Sequence, residues 1–178
     1  GRTVEGKQYG IQCRAPLAAP DDWTPPELSP DVDVPGEQVL LDGNVEAEGH
    51  DFFSLGSFDV STDGTLLLYG VDTDGDERYT LRIRDLVTGA QLPGEIPGTF
   101  AGAVLSPDGR FVVYTTVDDA WRPDTVWLHE IGRDVADDER LFHEPDDRFW
   151  VGAGFTRSER YLVIEAGSSI TSEELLVD

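Results

Sequence analysis

The chain contains one phrase twice. Phe58-Asp59-Val60-Ser61-Thr62-Asp63-Gly64 leads into Leu66-Leu67-Leu68-Tyr69, and Ala103-Val104-Leu105-Ser106-Pro107-Asp108-Gly109 leads into Phe111-Val112-Val113-Tyr114. The two aspartates, Asp63 and Asp108, stand 45 residues apart. A worn third copy runs from Phe155-Thr156-Arg157-Ser158-Glu159-Arg160 into Tyr161-Leu162-Val163-Ile164. Short strands repeating at such a period point to β-propeller blades, each a small sheet too thin to bury both of its faces without a neighbour.

Within each copy, Ser-x-Asp-Gly reads as the tight turn between a first and a second strand. Glycine supplies positive φ, and the aspartate bonds local backbone. The second strand is a continuous apolar run, which suits a strand covered on both faces. In the third strand of blade one the pattern alternates: Tyr79, Leu81 and Ile83 face one way, and Thr80, Arg82 and Arg84 the other. The expected strands are Ser57–Val60, Leu66–Val71, Tyr79–Asp85 and Gln91-Leu92 in blade one. Blade two takes Gly102–Leu105, Phe111–Val117, Thr125–Ile131 and Arg140–His143. Blade three takes Trp150–Phe155, Tyr161–Ala166 and Glu174–Val177. This reading requires Leu66–Val71 and Phe111–Val117 to hold equivalent places in successive sheets rather than places in one shared sheet.

Three regions follow. Residues 1–15 read as a hairpin, with Thr3-Val4 and Tyr9–Cys13 flanking a Gly6-Lys7 turn. Residues 16–36 carry Pro16, Pro20, Pro25, Pro26, Pro30 and Pro35 with acidic residues and no Lys or Arg, so they form an extended connector, with Trp23 as its anchor. Residues 37–178 hold a short strand at Val39-Leu40-Leu41, a helical turn or loop at Val45–His50, and blades one to three. The 178 residues leave room for about three blades, and a ring needs at least four. The chain is therefore expected to be part of a longer polypeptide, with the third blade incomplete.

Asp plus Glu number 36 against 13 Lys plus Arg, a formal net charge of −23. That balance excludes nucleic acid, which needs a basic footprint, and adhesion to anionic membranes. It favours cationic ligands through long-range steering, over a background of plain surface solvation. Cys13 is the single cysteine. No disulfide can form within the chain, and nothing demands an oxidising compartment.

The stretches Glu48-Gly49-His50-Asp51-Phe52-Phe53-Ser54-Leu55-Gly56, Asp72-Thr73-Asp74-Gly75-Asp76-Glu77-Arg78-Tyr79-Thr80-Leu81-Arg82-Ile83-Arg84-Asp85-Leu86, Arg122-Pro123-Asp124-Thr125-Val126-Trp127-Leu128-His129 and Asp146-Asp147-Arg148-Phe149-Trp150-Val151-Gly152 follow one another in order. Together with Glu5-Gly6-Lys7-Gln8-Tyr9 and Ser158-Glu159-Arg160-Tyr161-Leu162, they resemble the N-terminal propeller of the prolyl oligopeptidase family of serine peptidases, its oligopeptidase B group in particular. The resemblance covers essentially the whole chain. It implies a propeller of about seven blades capping an α/β-hydrolase domain that holds a Ser, Asp and His triad. It further implies cleavage of short peptides after Arg or Lys, large folded substrates being blocked by the propeller, in a cytoplasmic enzyme. No catalytic residue can be carried over, because the hydrolase domain has no counterpart in these residues.

The residues agree. No serine has glycine at both offsets of Gly-x-Ser-x-Gly, so there is no nucleophile elbow. His50, His129 and His143 are the only histidines, and their presence alone is not a triad. Asp72-x-Asp74-x-Asp76 opens like a calcium loop, but Glu77 and Ile83 stand where Gly and Glu are needed, so a polar hairpin turn is expected. Gly152-Ala153-Gly154 lacks the third glycine of a dinucleotide fingerprint and reads as close packing between strands. One cysteine rules out Cys-x-x-Cys metal spacing. No catalytic, cofactor or metal residue is therefore assigned, and no cofactor is expected. Trp121, Trp127, Trp150, Phe149 and Phe155 are assigned to inter-blade packing. Asp118, Asp119 and Arg122 are candidates for contact with the hydrolase domain or a peptide. An alternative to the peptidase reading is a binding module that completes its ring by self-association, since a partial arc exposes strand edges. A third, an independent enzyme with an unfamiliar site, predicts peptide turnover by the fragment alone.

Overall fold

The computed structural model describes residues 1–17, 19–24 and 34–177. Two compact units divide the chain, Gly1–Phe53 and Ser54–Asp178.

In the first unit, β1 (Ile11–Arg14) pairs antiparallel with β2 (Gln38–Asp42). The expected hairpin over residues 1–15 is present in reduced form on the other edge of β1. Its only ladder contact is the Arg2–Ile11 bridge, with a turn closed by the Lys7 amide on the Val4 carbonyl. Ile11 pairs with Arg2 on one side and Asp42 on the other, and Ile11 and Leu41 are buried where β1 lies beside β2. Asp42 caps α1 (Gly43–Glu46) by accepting from the Asn44 amide, which places the helical turn two residues before the expected start. The Asn44 side chain in turn brackets Tyr9, accepting from its amide and donating to its carbonyl. Trp23 is 79% exposed and anchors nothing among the described residues. Pro25, Pro26 and Pro30 of the connector lie outside them.

The second unit holds the blades. Blade one is β3 (Ser54–Val60), β4 (Leu66–Asp72), β5 (Tyr79–Asp85) and β6 (Ile96–Thr99), each antiparallel to the next. Blade two is β7 (Val104–Leu105), β8 (Phe111–Val117), β9 (Pro123–Glu130) and β10 (Glu139–His143). Blade three is β11 (Trp150–Phe155), β12 (Leu162–Gly167) and β13 (Ser172–Val177). The fourth strand of blade one is thus Ile96–Thr99, and Gln91 contributes a single bridge to Arg84.

One expectation fails in an instructive way. The two apolar runs do occupy equivalent second-strand places, but blades one and two form one hydrogen-bonded path. The chain passes from β6 towards β7 through Thr99, which pairs with Tyr79 on one side and Thr116 on the other. The Phe100 amide then bonds the Thr115 carbonyl. A single residue therefore serves two ladders, and the blades are joined there by one pairing.

The faces of β8 show why the blades need one another. Val112 and Tyr114 join Leu68, Leu81, Ile83, Ile96, Ala103 and Leu105 in one buried cluster between blades one and two. Val113, on the opposite face, joins Val126, Val151, Leu162, Ile164 and Ala166 between blades two and three. In β12 burial alternates instead, with Leu162, Ile164 and Ala166 buried and Glu165 exposed. Its continuous apolar run is therefore covered on one face only among the described residues. The same open face explains Gly152 and Gly154: a Cβ at either would meet nothing within 4 Å, so they mark no close packing.

The three turns are built alike. The hydroxyls of Ser61 and Ser106 each donate to the aspartate two residues on and accept from the amides of Leu66 and Phe111, respectively. Thr156 does the same for the Tyr161 amide at 3.3 Å. The residue closing each turn has positive φ: 73° at Gly64, 67° at Gly109 and 58° at Glu159. A side chain there is strained by about 1–2 kcal/mol. Glu159→Gly is therefore expected to stabilise the protein by about 1 kcal/mol. The urea midpoint should rise without a change in slope, and an unchanged or lower midpoint would refute the strain.

Candidate functional site

The first strands of the blades and the turns that follow them gather around one groove. Ser57 and Asp59, on β3, hold the backbone of the β7 segment. The Ser57 hydroxyl accepts from the amides of Gly102 and Ala103 at 3.0 and 3.1 Å, and the Asp59 carboxylate accepts from that of Leu105 at 2.8 Å. Across the groove, the Thr62 hydroxyl donates to Glu159 at 3.1 Å, linking the turns of blades one and three. The groove is half open to solvent and holds about 260 Å³, just below the usual range for a ligand pocket. Its polar walls come from Asp59, Ser61, Ser106, Thr156, Arg157 and Glu159.

The Ser61, Ser106 and Thr156 hydroxyls each order a turn, and that of Ser57 holds the β7 backbone. Among the described residues no serine hydroxyl is bonded to a histidine. His129 pairs through Nδ1 with Asp138 at 2.6 Å, and the Tyr114 hydroxyl donates to the other Asp138 oxygen at 2.7 Å. Burial pushes the Tyr114 phenol well above its ordinary range, and the bond to Asp138 pushes it further, so it stays a donor. His143 sits between Thr125 and Asp124, and His50 is exposed. No buried side-chain nitrogen or oxygen among the described residues lacks a partner. None of their His, Cys, Asp and Glu groups of three or more could hold a metal ion.

The would-be calcium loop is a hairpin turn ordered from within. Asp72, at the end of β4, accepts from the amides of Asp74, Gly75 and Glu77. Burial opposes its charge, but these amides and that of Asp76 outweigh it and hold the carboxyl below its usual range. Asp118 plays the same part in the β8–β9 turn, accepting from the amides of Ala120 and Arg122.

Arg122 is not free to meet a partner. It is 8% exposed. Its Nε bonds Asp118 at 2.9 Å, and one terminal nitrogen donates to the carbonyls of Glu144, Asp146 and Phe149. It pins the segment that links blade two to blade three, and of the three candidates only Asp119 is left exposed. Trp127 packs against the first cluster and Phe149 and Phe155 against the second. Trp150 is 57% exposed and touches Phe100 edge-on, so its expected packing between blades is a single ring contact at the surface. Trp121 carries the Arg78 guanidinium on its ring.

The whole chain, residues 1–178, matches the family described as prolyl oligopeptidase, N-terminal beta-propeller domain. The chain belongs to the prolyl oligopeptidase family. It is 34% identical to dipeptidyl aminopeptidase BI of Pseudoxanthomonas mexicana, over 97% of this chain and 24% of that protein. With Protease 2 of Moraxella lacunata it shares 35% identity, over 99% of this chain and 25% of that protein. Oligopeptidase B from Leishmania major superposes with a TM-score of 0.85 at 29% identity, covering 98% of this chain and 23% of that one. The chain thus spans about a quarter of the length of the family members it matches. No helix among the described residues is long and apolar enough to cross a membrane.

Proposed function

We propose that this chain is the first arc of a propeller serving a cytoplasmic serine oligopeptidase that cleaves short peptides after Arg or Lys. The observation that carries the reading is the match of the entire chain to the family's propeller, joined to a net charge of −23. The propeller's part is steric and electrostatic. Packed blades deny folded proteins a path to the hydrolase domain supplied by the rest of the polypeptide. Their acidic surface raises the local concentration of peptides bearing Arg or Lys. Cys13 as the single cysteine suits a reducing compartment.

Steering has a measurable signature, because exposed charges are screened over about 10 Å at 0.1 M salt. In the full-length enzyme, kcat/KM for a peptide carrying several basic residues should fall at least severalfold between low and high ionic strength. For an uncharged ester substrate it should barely move. A kcat/KM for basic peptides that ignores salt would end the steering account.

A further inference from the structure

The hairpins joining second to third strands in blades one and two meet in an arrangement that gating does not require. Arg78 lies over the Trp121 ring, with its guanidinium carbon 4.1 Å from the centroid. Asp76 stands 4.0 Å from the same guanidinium. A ring face and a carboxylate are the two partners by which proteins recognise an arginine side chain.

The backbone holds this pair in place at a cost. Glu77 has φ of 59° and Trp121 has φ of 67°, and neither is glycine. A bulky residue in the left-handed region is an outlier, and such outliers persist where the surroundings over-determine them. Here the surroundings are Asp72 and Asp118, each fixing its loop through backbone amides. The Trp121 amide itself donates to the Asp118 carbonyl. Two carboxylate-ordered loops thus present a ring and the cation that covers it. The Arg78 and Asp76 side chains remain 40% and 45% exposed, so the stack is at the surface and within reach of solutes.

We propose that the Trp121 face, with Asp76 beside it, is a binding site for the arginine side chains of peptides, and that Arg78 occupies it in the resting chain. A visiting arginine displaces Arg78 into solvent and takes its place on the ring. The surrounding acidic surface favours the exchange by concentrating cations. The inference rests on the proposed function only for the source of the visiting peptide; the ring and its present occupant stand without it.

The test reads binding rather than turnover, so it can fail or succeed apart from the salt dependence. The full-length protein is labelled with 5-fluorotryptophan, and the Trp121 resonance is identified by its loss in Trp121→Gly, a change that suits the positive φ. N-acetyl-arginine amide is then titrated into wild type and Arg78→Ala. The expected result is a saturable shift of the Trp121 signal, with about tenfold tighter binding once Arg78 no longer competes. N-acetyl-norleucine amide should leave the signal in place. Arg78→Gln, which keeps a similar side-chain length without the charge, serves if the alanine variant does not fold, and the same gain is expected. Equal affinity in wild type and variant, an equal shift with the norleucine compound, or no saturable shift would each overturn the proposal.

Discussion

Replacing Arg122 with methionine is expected to destabilise the protein by about 3–5 kcal/mol, the range for removing one partner of a buried ionic network. The guanidinium is 8% exposed and is surrounded by groups that need its protons. Asp118 accepts from Nε at 2.9 Å, and three carbonyls, of Glu144, Asp146 and Phe149, accept from one terminal nitrogen within 3.1 Å. Asp124 lies 3.9 Å from the other. Methionine fills similar space but leaves those acceptors without their donor. Lysine would keep the charge yet offers one nitrogen in place of a rigid fork, so Arg122→Lys should recover little of the loss. Urea denaturation gives the magnitude. Hydrogen exchange gives the location, since amides in residues 144–149 should lose protection first. A loss below about 1 kcal/mol would mean that water satisfies those groups and that the staple is decorative.

The same network has a pH sense. The Arg122 amide holds the Asp118 carboxyl below its usual range against an opposing burial penalty, with the Arg122 side chain and the Ala120 amide adding to the shift. A group whose pKa is depressed by folding adds stability above its unfolded value, about 3.9, and that stability fades as pH falls through the folded value. Methionine keeps the Arg122 amide and loses only the side chain's share, so the gap between wild type and Arg122→Met should be widest at neutral pH and shrink by that share in acid.

The repeated phrase made the blades legible because its physics is local. The Ser61 and Ser106 turns close within five residues through their own hydroxyls and aspartates, so their residue types and spacing reveal them. The ends of β8 and β11 coincide with the apolar runs that mark them. What stayed hidden depends on distant partners. Nothing near Arg122 announces the carbonyls 22 to 27 residues away. Nothing near Ile11 shows that its strand will also take Asp42, 31 residues on, as a neighbour. Strand β6 lies five residues beyond the expected Gln91-Leu92, and its Pro97 and Gly98, residues that ordinarily weaken a strand, are tolerated where the ladder is interrupted by a register shift. The acidic turn at Asp72 was correctly read as a turn. The ring it faces comes from another blade, so the candidate arginine site could not be seen before the loops were placed together.

Leu68→Ala should cost about 2–5 kcal/mol, because it removes a wholly buried side chain from a cluster that can collapse only partly. The cost by itself would mark any good core. The pattern of coupling is what distinguishes stacked thin sheets from one merged core. Leu68 and Val112 belong to the cluster between blades one and two, whereas Ile164 belongs to the one between blades two and three. The backbone of blade two separates these clusters, with Val112 and Val113 pointing to opposite sides of one strand. Residues sharing a cavity typically couple by about 0.5–3 kcal/mol, and separated ones add to within about 0.5 kcal/mol. Leu68→Ala with Val112→Ala should therefore depart from additivity, while Leu68→Ala with Ile164→Val should not. Leu176, 65% exposed on β13, supplies the baseline, and its truncation should change stability by less than about 0.5 kcal/mol. Equal coupling of Leu68 to Val112 and to Ile164 would mean that the two faces of blade two share one core. That result would remove the reason each blade has for needing a neighbour on both sides.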